Sequence, residues 1–232
     1  MRFNFVTLFP NIIKGYFSDS ILHRAIESNL IELHYFNPRD YSTNRHNKVD
    51  DAIIGGGAGM LISMQPLVDT IKDIKKNDPK TRVIVLTPAA KRFIQADAKR
   101  LAKVDSVTLV CGRYEGFDER FIENYVDEVL SIGDFILTGG ELAAMILCDA
   151  IARNVDGVLG NSDSLVEESF ENSLLEAPSF TKPNIYEEKA VVSEFLKGNH
   201  SKIASTKLNL ALCKTNYFRP DIFCKVKVGH EK

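Results

Sequence analysis

The sequence contains no long hydrophobic run. Its longest unbroken apolar stretch covers residues 142–148, whereas a helix needs about 20 apolar residues to cross a bilayer. The opening stretch MRFNFVTLFP carries one arginine but is broken at Pro10, so it lacks the apolar segment of a signal peptide. We therefore expect a protein that makes no membrane contact and is cytoplasmic.

Cysteine is scarce as well. The 232 residues include four cysteines, which form no C-x-x-C pair and have no histidine cluster near them. Such spacing is typical of free thiols in a reducing compartment, and not of a disulfide framework or a zinc site. We predict no metal site from these residues, and whether Mg²⁺ assists the protein is not readable from the sequence.

The common nucleotide-binding signatures are missing too. No G-x-x-x-x-G-K-[ST] occurs, which excludes a P-loop enzyme. No strand-like segment is followed by G-x-G-x-x-G, which counts against a Rossmann dinucleotide site. The string GGGAGM at residues 55–60 has the glycines but a different spacing, and by itself it indicates a flexible turn.

Neither sign of charge dominates the whole chain, whose formal net charge is −2. The distribution is uneven, however. Residues 1–172 carry 19 Lys and Arg against 25 Asp and Glu, and residues 173–232 carry 10 against 6, so the last part has a net charge of +4. This excess fits a solvated helical surface or a small basic module that meets a polyanion, and charge alone does not separate the two.

The segments that are present alternate between strand-like and helix-like patterns. Apolar runs of strand length occur at residues 2–9, 31–36, 82–86, 106–111, 126–132 and 134–138. Helical periodicity occurs at residues 19–29, 66–76, 89–102, 118–124 and 140–153. This alternation predicts an α/β fold with a mostly parallel sheet.

The pattern changes after residue 153. Residues 154–172 are rich in Gly, Ser, Asp and Glu and show no sustained period, and helices are predicted beyond them at residues 186–196 and 200–213. The predicted organisation is an α/β domain at residues 1–160, a flexible linker at 161–172 and a small helical domain at 173–232.

Three loops of the α/β part have unusual sequences. Open parallel sheets bind ligands in loops beyond the carboxyl ends of their strands, and here these loops are LTPAA (86–90), CGRYEGFDER (111–120) and LSIGDFILTGGE (130–141). In the third, glycines stand before and after the predicted strand 134–138. Glycine beside a strand marks a place where something approaches the backbone closely, so we expect a ligand there.

Four longer strings carry a family resemblance. They are VDDAIIGGGAGM (49–60), GRYEGFDER (112–120), SIGDFILTGGE (131–141) and DGVLGNSDSLVEESF (156–170). In this order and spacing the chain resembles the bacterial tRNA (guanine-N1)-methyltransferases of the TrmD type, which belong to the knotted SPOUT class. The resemblance runs from the first strand through the tail, essentially the whole chain.

The resemblance implies both a fold feature and a cofactor. The C-terminal part of the α/β domain would form a trefoil knot, which no periodicity can reveal, and the knotted loops would bind S-adenosylmethionine in a bent shape. The residues that the resemblance assigns to the cofactor are Pro88, Gly112, Tyr114, Glu115, Ile132, Gly133, Asp134, Phe135, Ile136, Leu137, Gly139 and Gly140.

The resemblance also implies the partners. The protein would be a homodimer whose active sites are each shared between the two subunits. Its substrate would be the anticodon loop of tRNA, with guanosine 37 preceded by another G and methylated on N1. Phosphate contacts would come from the basic tail, at Lys202, Lys207, Lys214, Arg219, Lys225 and Lys227.

Two catalytic residues follow from the same resemblance. Glu168, directly before SF, would be the general base that removes the N1 proton, and Arg153 would stabilise the charge that moves to O6. The family usually has Asp where this chain has Glu168, which is one methylene longer. The alternative interpretations are a solvated acidic pair of Glu167 and Glu168, and a plain cation at a helix C-terminus for Arg153.

Two other functions stay open at the level of sequence. One is a knotted methyltransferase that acts on a ribose 2′-hydroxyl, which would share the glycine loops but would not need EESF or GRYEGFDER. The other is a non-catalytic RNA-binding protein on the same scaffold.

Overall fold

The computed structural model describes residues 1–160, 168–171 and 173–229, with the backbone alone for residues 226–229. The chain divides into two compact units, Met1–Gly160 and Asn161–Lys232. Across these residues, no helix combines the length and the apolar character that a membrane span requires.

Seven strands belong to the first unit. They are β1 (Arg2–Val6), β2 (Glu32–Phe36), β3 (Asp50–Ala52), β4 (Met60–Ile62), β5 (Arg82–Leu86), β6 (Ser106–Val110) and β7 (Glu128–Leu130). Five of them form a sheet in the order β2-β1-β6-β5-β7, in which every pairing is parallel, and β3 and β4 form a separate antiparallel hairpin.

Six helices cover the two faces of this sheet. They are α1 (Pro10–Tyr16), α2 (Ser20–Glu27), α3 (Met64–Asn77), α4 (Gln95–Leu101), α5 (Glu119–Tyr125) and α6 (Glu141–Ala152). Because side chains alternate along a strand, Ile84 joins the core that includes α1, α2, α4 and α6, whereas Val83 and Val85 join the core with α3 and α5. The central strands are therefore buried on both faces, as parallel strands usually are.

The predicted α/β class with its mostly parallel sheet is confirmed, and five of the six predicted strands exist. The sixth, at residues 134–138, is wrong, since the chain between Ser131 and Gly140 forms no strand or helix. The chain leaves the sheet directly after β7, where the backbone N–H of Ser131 donates to the carbonyl of Lys91 at 2.8 Å. Ile136 is 81% exposed and has no strand beside it to cover it.

Helix α1, a 3-10 helix at Pro38–Tyr41 and the β3–β4 hairpin of the first unit were not predicted. Helix α1 begins at Pro10, whose missing N–H falls at a position where a helix has no acceptor for it. The β3–β4 hairpin contains the string GGGAGM, and it docks on the loop after β6. The N–H of Glu115 donates to the carbonyl of Met60 at 2.9 Å, and the N–H of Ile62 donates to the carbonyl of Gly116 at 3.1 Å.

The described residues of the second unit form a short hairpin, a 3-10 helix and two α-helices. Its elements are β8 (Ile185–Tyr186), β9 (Lys189–Ala190), a 3-10 helix (Ser193–Leu196), α7 (His200–Phe218) and α8 (Pro220–Gly229). The predicted helix at 200–213 is confirmed and extends five residues further. The helix predicted at 186–196 is wrong, because Glu187 and Glu188 have φ of +46° and +65° and form the turn of the hairpin. Of the predicted linker, residues 161–167 and 172 lie outside the described residues.

Candidate functional site

The three unusual loops lie side by side in the first unit. Strands β6, β5 and β7 are consecutive in the parallel sheet, so their carboxyl ends share one edge. The loops that follow them enclose a cavity of about 320 Å³. This volume falls at the lower end of the range of about 300–1,000 Å³ that is usual for small-molecule sites.

Eleven of the twelve residues assigned to the cofactor line this cavity. They are Pro88, Gly112, Tyr114, Glu115, Ile132, Gly133, Phe135, Ile136, Leu137, Gly139 and Gly140. The twelfth, Asp134, does not line it. Its carboxylate instead forms an exposed ion pair with Arg92, whose guanidinium lowers the pKa of that carboxyl.

Other atoms of the protein approach all three glycines of the third loop closely. A Cβ on Gly140 would lie 2.6 Å from the backbone N of Gly112, and one on Gly139 would lie 2.5 Å from Nε of Arg113. At Gly133 a Cβ would lie 2.5 Å from the ring of Phe135. The close approach that the glycines indicate is thus made by other parts of the chain, and the glycines alone do not indicate a ligand.

An ion pair joins two of the loops beneath the cavity. Nη2 of Arg113 lies 2.8 Å from Oε2 of Glu141, and its Nε donates to Oε1 of the same carboxylate at 3.2 Å. Oε1 also accepts a hydrogen bond of 2.8 Å from the hydroxyl of Thr7, directly after β1. The Glu141 side chain is 2% exposed, so its charge is buried. Among the described residues Oε2 accepts no hydrogen bond, and the nearby charge of Arg113 compensates it.

The chemistry of the cavity suits a ligand that carries positive charge and an apolar ring. Two acidic residues, Glu115 and Glu119, belong to its lining, and the charge of Arg113, the cationic residue in the described lining, is offset by Glu141. Ile132 and Leu137 add apolar surface. The nearby thiol of Cys111 is buried, which raises its pKa well above the usual value, so it is not a nucleophile.

Arg153 lies away from this cavity within its own chain. It is the C-cap residue of α6, and its backbone N–H donates to the carbonyl of Asp149 at 3.1 Å. The N-terminus of α6, at Gly140 and Glu141, adjoins the cavity. The twelve residues of α6 span about 18 Å at 1.5 Å per residue, so Arg153 occupies the opposite end of the helix.

Glu168 belongs to the second unit, where it is partly buried at the start of a turn. Its carbonyl accepts a hydrogen bond of 3.3 Å from the N–H of Glu171, and the hydroxyl of neighbouring Ser169 accepts one of 3.2 Å from the N–H of Glu176. The N–H of Leu175 then donates to the hydroxyl of Thr215 at 2.9 Å. Helix α7 therefore anchors the segment that follows Glu168.

The basic residues of the tail lie on α7 and α8. Lys202 and Lys225 are exposed, Lys207 and Lys214 are half-buried, and Arg219 forms an ion pair of 2.8 Å with Asp221. The side chain of Lys227 lies outside the described residues. In the part of the chain that the structure describes, no group of three or more His, Cys, Asp or Glu side chains could hold a metal ion.

Sequence reasoning missed the Arg113–Glu141 pair. Arg113 lies within the motif GRYEGFDER, but its partner is 28 residues away, and no local spacing links the two. A signal was present in the residue types. An Arg in a glycine-lined loop and a Glu at the first position of a mostly apolar helix both require a partner once buried.

Comparison with known proteins supplies an independent finding. The profile of a protein family described as "tRNA (Guanine-1)-methyltransferase TrmD" matches residues 1–225. A Sulfurovum sp. (strain NBC37-1) protein named tRNA (guanine-N(1)-)-methyltransferase is 65% identical over 225 residues, 97% of this chain and 99% of that protein. Proteins of the same name from Sulfurimonas denitrificans and Campylobacter curvus are 61% and 60% identical, over 98% and 100% of both chains.

Proposed function

The chain belongs to the TrmD family of tRNA (guanine-1)-methyltransferases, and on that premise we propose that it methylates N1 of guanosine 37 in the tRNA anticodon loop. The observation that carries the proposal is the match over almost the whole chain, together with the cavity that the three loops of the family motifs enclose. The methyl donor is S-adenosylmethionine.

The cavity fits this donor. A bound sulfonium supplies a methyl group that is already activated for transfer, so the chain has to bind and orient it. The carboxylates of Glu115 and Glu119 favour a cationic ligand, and Ile132 and Leu137 offer apolar surface to an adenine ring. Residues 132–139 form no strand or helix, so those of their backbone polar groups that other parts of the chain do not occupy can bond a ligand.

The reaction needs two further groups near guanine. N1 carries a proton and is a poor nucleophile until that proton leaves, so a carboxylate within hydrogen-bond reach must take it. Glu168 fills this role, and the guanidinium of Arg153 stabilises the negative charge that develops on O6. General-base catalysis contributes about 10²–10⁴ in rate. We therefore expect Glu168→Gln to lower methyl transfer at least a hundredfold while the affinity for S-adenosylmethionine stays unchanged.

The position of Arg153 supports an active site shared between two subunits. Along α6, Arg153 lies about 15 Å from Ala143, which lines the cavity of its own chain, and this distance is beyond the reach of an arginine side chain. Helices α1 and α6 are in contact and carry apolar side chains that are 45–53% exposed. These are Phe9, Ile12, Tyr16, Leu142 and Ile146. Such a patch on two adjacent helices fits a second copy of the chain.

The remaining assignments follow from the family and the substrate. The second unit, with Lys202 and Lys225 exposed on α7 and α8, contacts the phosphates of tRNA, and the protein is cytoplasmic. The family implies that the chain around the cavity is threaded as a trefoil knot. In support, the segment after β7 passes back against the loop after β6, where the N–H of Gly140 donates to the carbonyl of Gly112 at 2.8 Å.

Labelled methyl transfer from S-adenosylmethionine tests this function. The substrates are unmodified tRNA transcripts with G36-G37 and a matched transcript in which G37 is replaced by A. Transfer to the first transcript alone supports the proposal. Transfer to both transcripts contradicts the assignment to guanine N1, and transfer to neither favours a non-catalytic RNA-binding protein.

Complementation between subunits tests the shared site. Glu168→Gln removes the proposed base, and Leu137→Arg places a cation in the cavity where the sulfonium would bind. A mixed dimer of the two variants contains one site with both an intact cavity and an intact base. After random subunit exchange we expect about a quarter of the wild-type rate, from the statistics of two-fold dimers. A mixture that stays as inactive as its components would show that each site is built from one chain.

A further inference from the structure

We propose that Arg113, Glu141 and Thr7 form a clamp that holds the cofactor loops in their binding conformation, and that Arg113 is a positioning residue which does not touch the ligand through its charge. The inference deepens the proposed function and rests on it for the identity of the ligand. The clamp itself consists of contacts within this chain and does not depend on the identity of the ligand.

The guanidinium of Arg113 is occupied by protein groups. Its fork faces the carboxylate of Glu141, with Nη2 at 2.8 Å from Oε2 and Nε at 3.2 Å from Oε1. Its Nη1 donates to the carbonyl of Thr138 at 3.3 Å, and its Cζ lies 4.5 Å from the ring centre of Phe9. Because its charge is already offset by Glu141, this cation is a weaker anchor for the carboxylate of a ligand or for a phosphate than an unpaired arginine would be.

The carboxylate of Glu141 fixes this arrangement because it is buried. It needs the charge of Arg113 and the hydroxyl of Thr7 to compensate for its removal from water. Thr7 follows β1, Arg113 follows β6, Thr138 belongs to the loop after β7, and Glu141 opens α6. The buried ion pair and its hydrogen bonds to Thr7 and Thr138 therefore set the relative positions of four chain segments, three of which contribute residues to the lining of the cavity.

Gly139 of the third loop lies directly against the side chain of Arg113 and has no Cβ to collide with it. A Cβ at this position would lie 2.5 Å from Nε and 2.6 Å from Cζ of Arg113. An arginine side chain could normally move away from such a contact, but this one is held by Glu141. Gly139→Ala should therefore displace the guanidinium from its carboxylate, and so it acts on the clamp without changing a charged residue.

Loosening the clamp should weaken cofactor binding because a smaller fraction of the molecules then has its loops in the binding conformation. The apparent Kd equals the intrinsic Kd divided by the fraction of molecules that are competent to bind. If that fraction falls to about one tenth, the Kd rises about tenfold. At saturating cofactor the binding conformation is restored, so kcat should stay within about twofold while KM rises.

The experiment measures S-adenosylmethionine binding by calorimetry for Arg113→Ala, Arg113→Lys and Gly139→Ala, without tRNA. We expect a rise in Kd of about tenfold for each, since lysine keeps the charge but lacks the fork. The matched control is Glu128→Gln. Glu128 is also a partly buried carboxylate held by arginine, with Arg100 at 2.7 Å, but it is the first residue of β7, at the end of the strand opposite the cofactor loops. The Kd of the Glu128→Gln variant for S-adenosylmethionine should therefore stay at the wild-type value.

The double variant Arg113→Ala/Gly139→Ala separates the clamp from a direct contact of Gly139 with the ligand. Without the guanidinium, the added methyl has room, so the double variant should bind about as weakly as either single variant. A product of the two effects, about a hundredfold, would mean that the methyl meets the ligand itself and would overturn the proposal.

Hydrogen exchange of the unliganded protein supplies a measurement that is independent of the cofactor's identity. The amides of residues 112–116 and 136–140 should exchange faster in Gly139→Ala and in Arg113→Lys than in the wild type, and should be unchanged in Glu128→Gln. Wild-type exchange rates in both clamp variants would overturn the proposal. A wild-type protein that failed to bind S-adenosylmethionine would contradict the proposed function, while the exchange data would still decide the clamp.

Discussion

Gly140→Ala is expected to destabilise the first unit more than an ordinary surface substitution does. The added Cβ would lie 2.6 Å from the N of Gly112, 2.8 Å from the Cα of Cys111 and 3.1 Å from its carbonyl carbon. All three atoms are backbone, so no rotamer change can relieve the overlap. The two loops would have to move apart, and the hydrogen bond of 2.8 Å from Gly140 to Gly112 would lengthen.

The magnitude follows from the cost of overpacking. Extra methyl groups forced into a packed site cost about 1–3 kcal/mol, and in a unit of this size each kcal/mol lowers Tm by about 2–4 °C. We therefore expect Tm to fall by roughly 2–12 °C when unfolding is followed by circular dichroism. Gly15→Ala is the control, because no atom lies within 4 Å of its added Cβ. A Tm for Gly140→Ala equal to that of the control would refute the close contact between the loops.

Three further results are expected. Hydrogen bonds from Arg100 lower the pKa of Glu128, so this carboxylate stabilises the fold above the unfolded carboxyl pKa of about 4.3 and loses its contribution as the pH falls through the lowered native pKa. In urea titrations the wild type should therefore lose more unfolding free energy on acidification than Glu128→Gln does. Equal losses in the two proteins would contradict this. Cys213 and Cys224 are exposed, whereas Cys111 and Cys148 are buried with raised pKa values, so a disulfide reagent should titrate two thiols in the native protein and the other two only after unfolding. The affinity for tRNA should fall steeply with salt concentration while the affinity for S-adenosylmethionine barely changes, since only tRNA binding releases many counterions. If the two affinities depended equally on salt in a filter-binding series, this would argue against phosphate contacts by the tail.

The sheet was predictable because its strands are short apolar runs buried on both faces. Segments such as RVIVL at residues 82–86 have few alternatives, and the loops that follow them could be placed at one edge from the α/β pattern alone. The prediction of a strand at 134–138 was wrong because apolar residues there are exposed instead of buried. Its residues are as apolar as those of β5, but Phe135 and Ile136 are 53% and 81% exposed, so their apolar character does not serve the core of this unit.

The interior of the site could not be predicted, because its contacts join distant segments. Local sequence showed that something approaches the third loop closely, but not that Arg113 and the backbone of Gly112 do so. In the tail, the propensity of residues 186–196 suggested a helix, whereas Glu187 and Glu188 adopt left-handed conformations that turn the chain into a hairpin. Such conformations carry no residue signature when glycine is absent.

Identification of the methylated nucleoside tests the central claim most directly. A tRNA transcript with G36-G37 is incubated with the purified protein and S-adenosylmethionine, digested to nucleosides and separated by liquid chromatography with mass detection. The proposed function predicts 1-methylguanosine as the product, and its loss when G37 is replaced. A methyl group on the ribose 2′-oxygen, or on a guanosine other than 37, would contradict the assignment of the reaction.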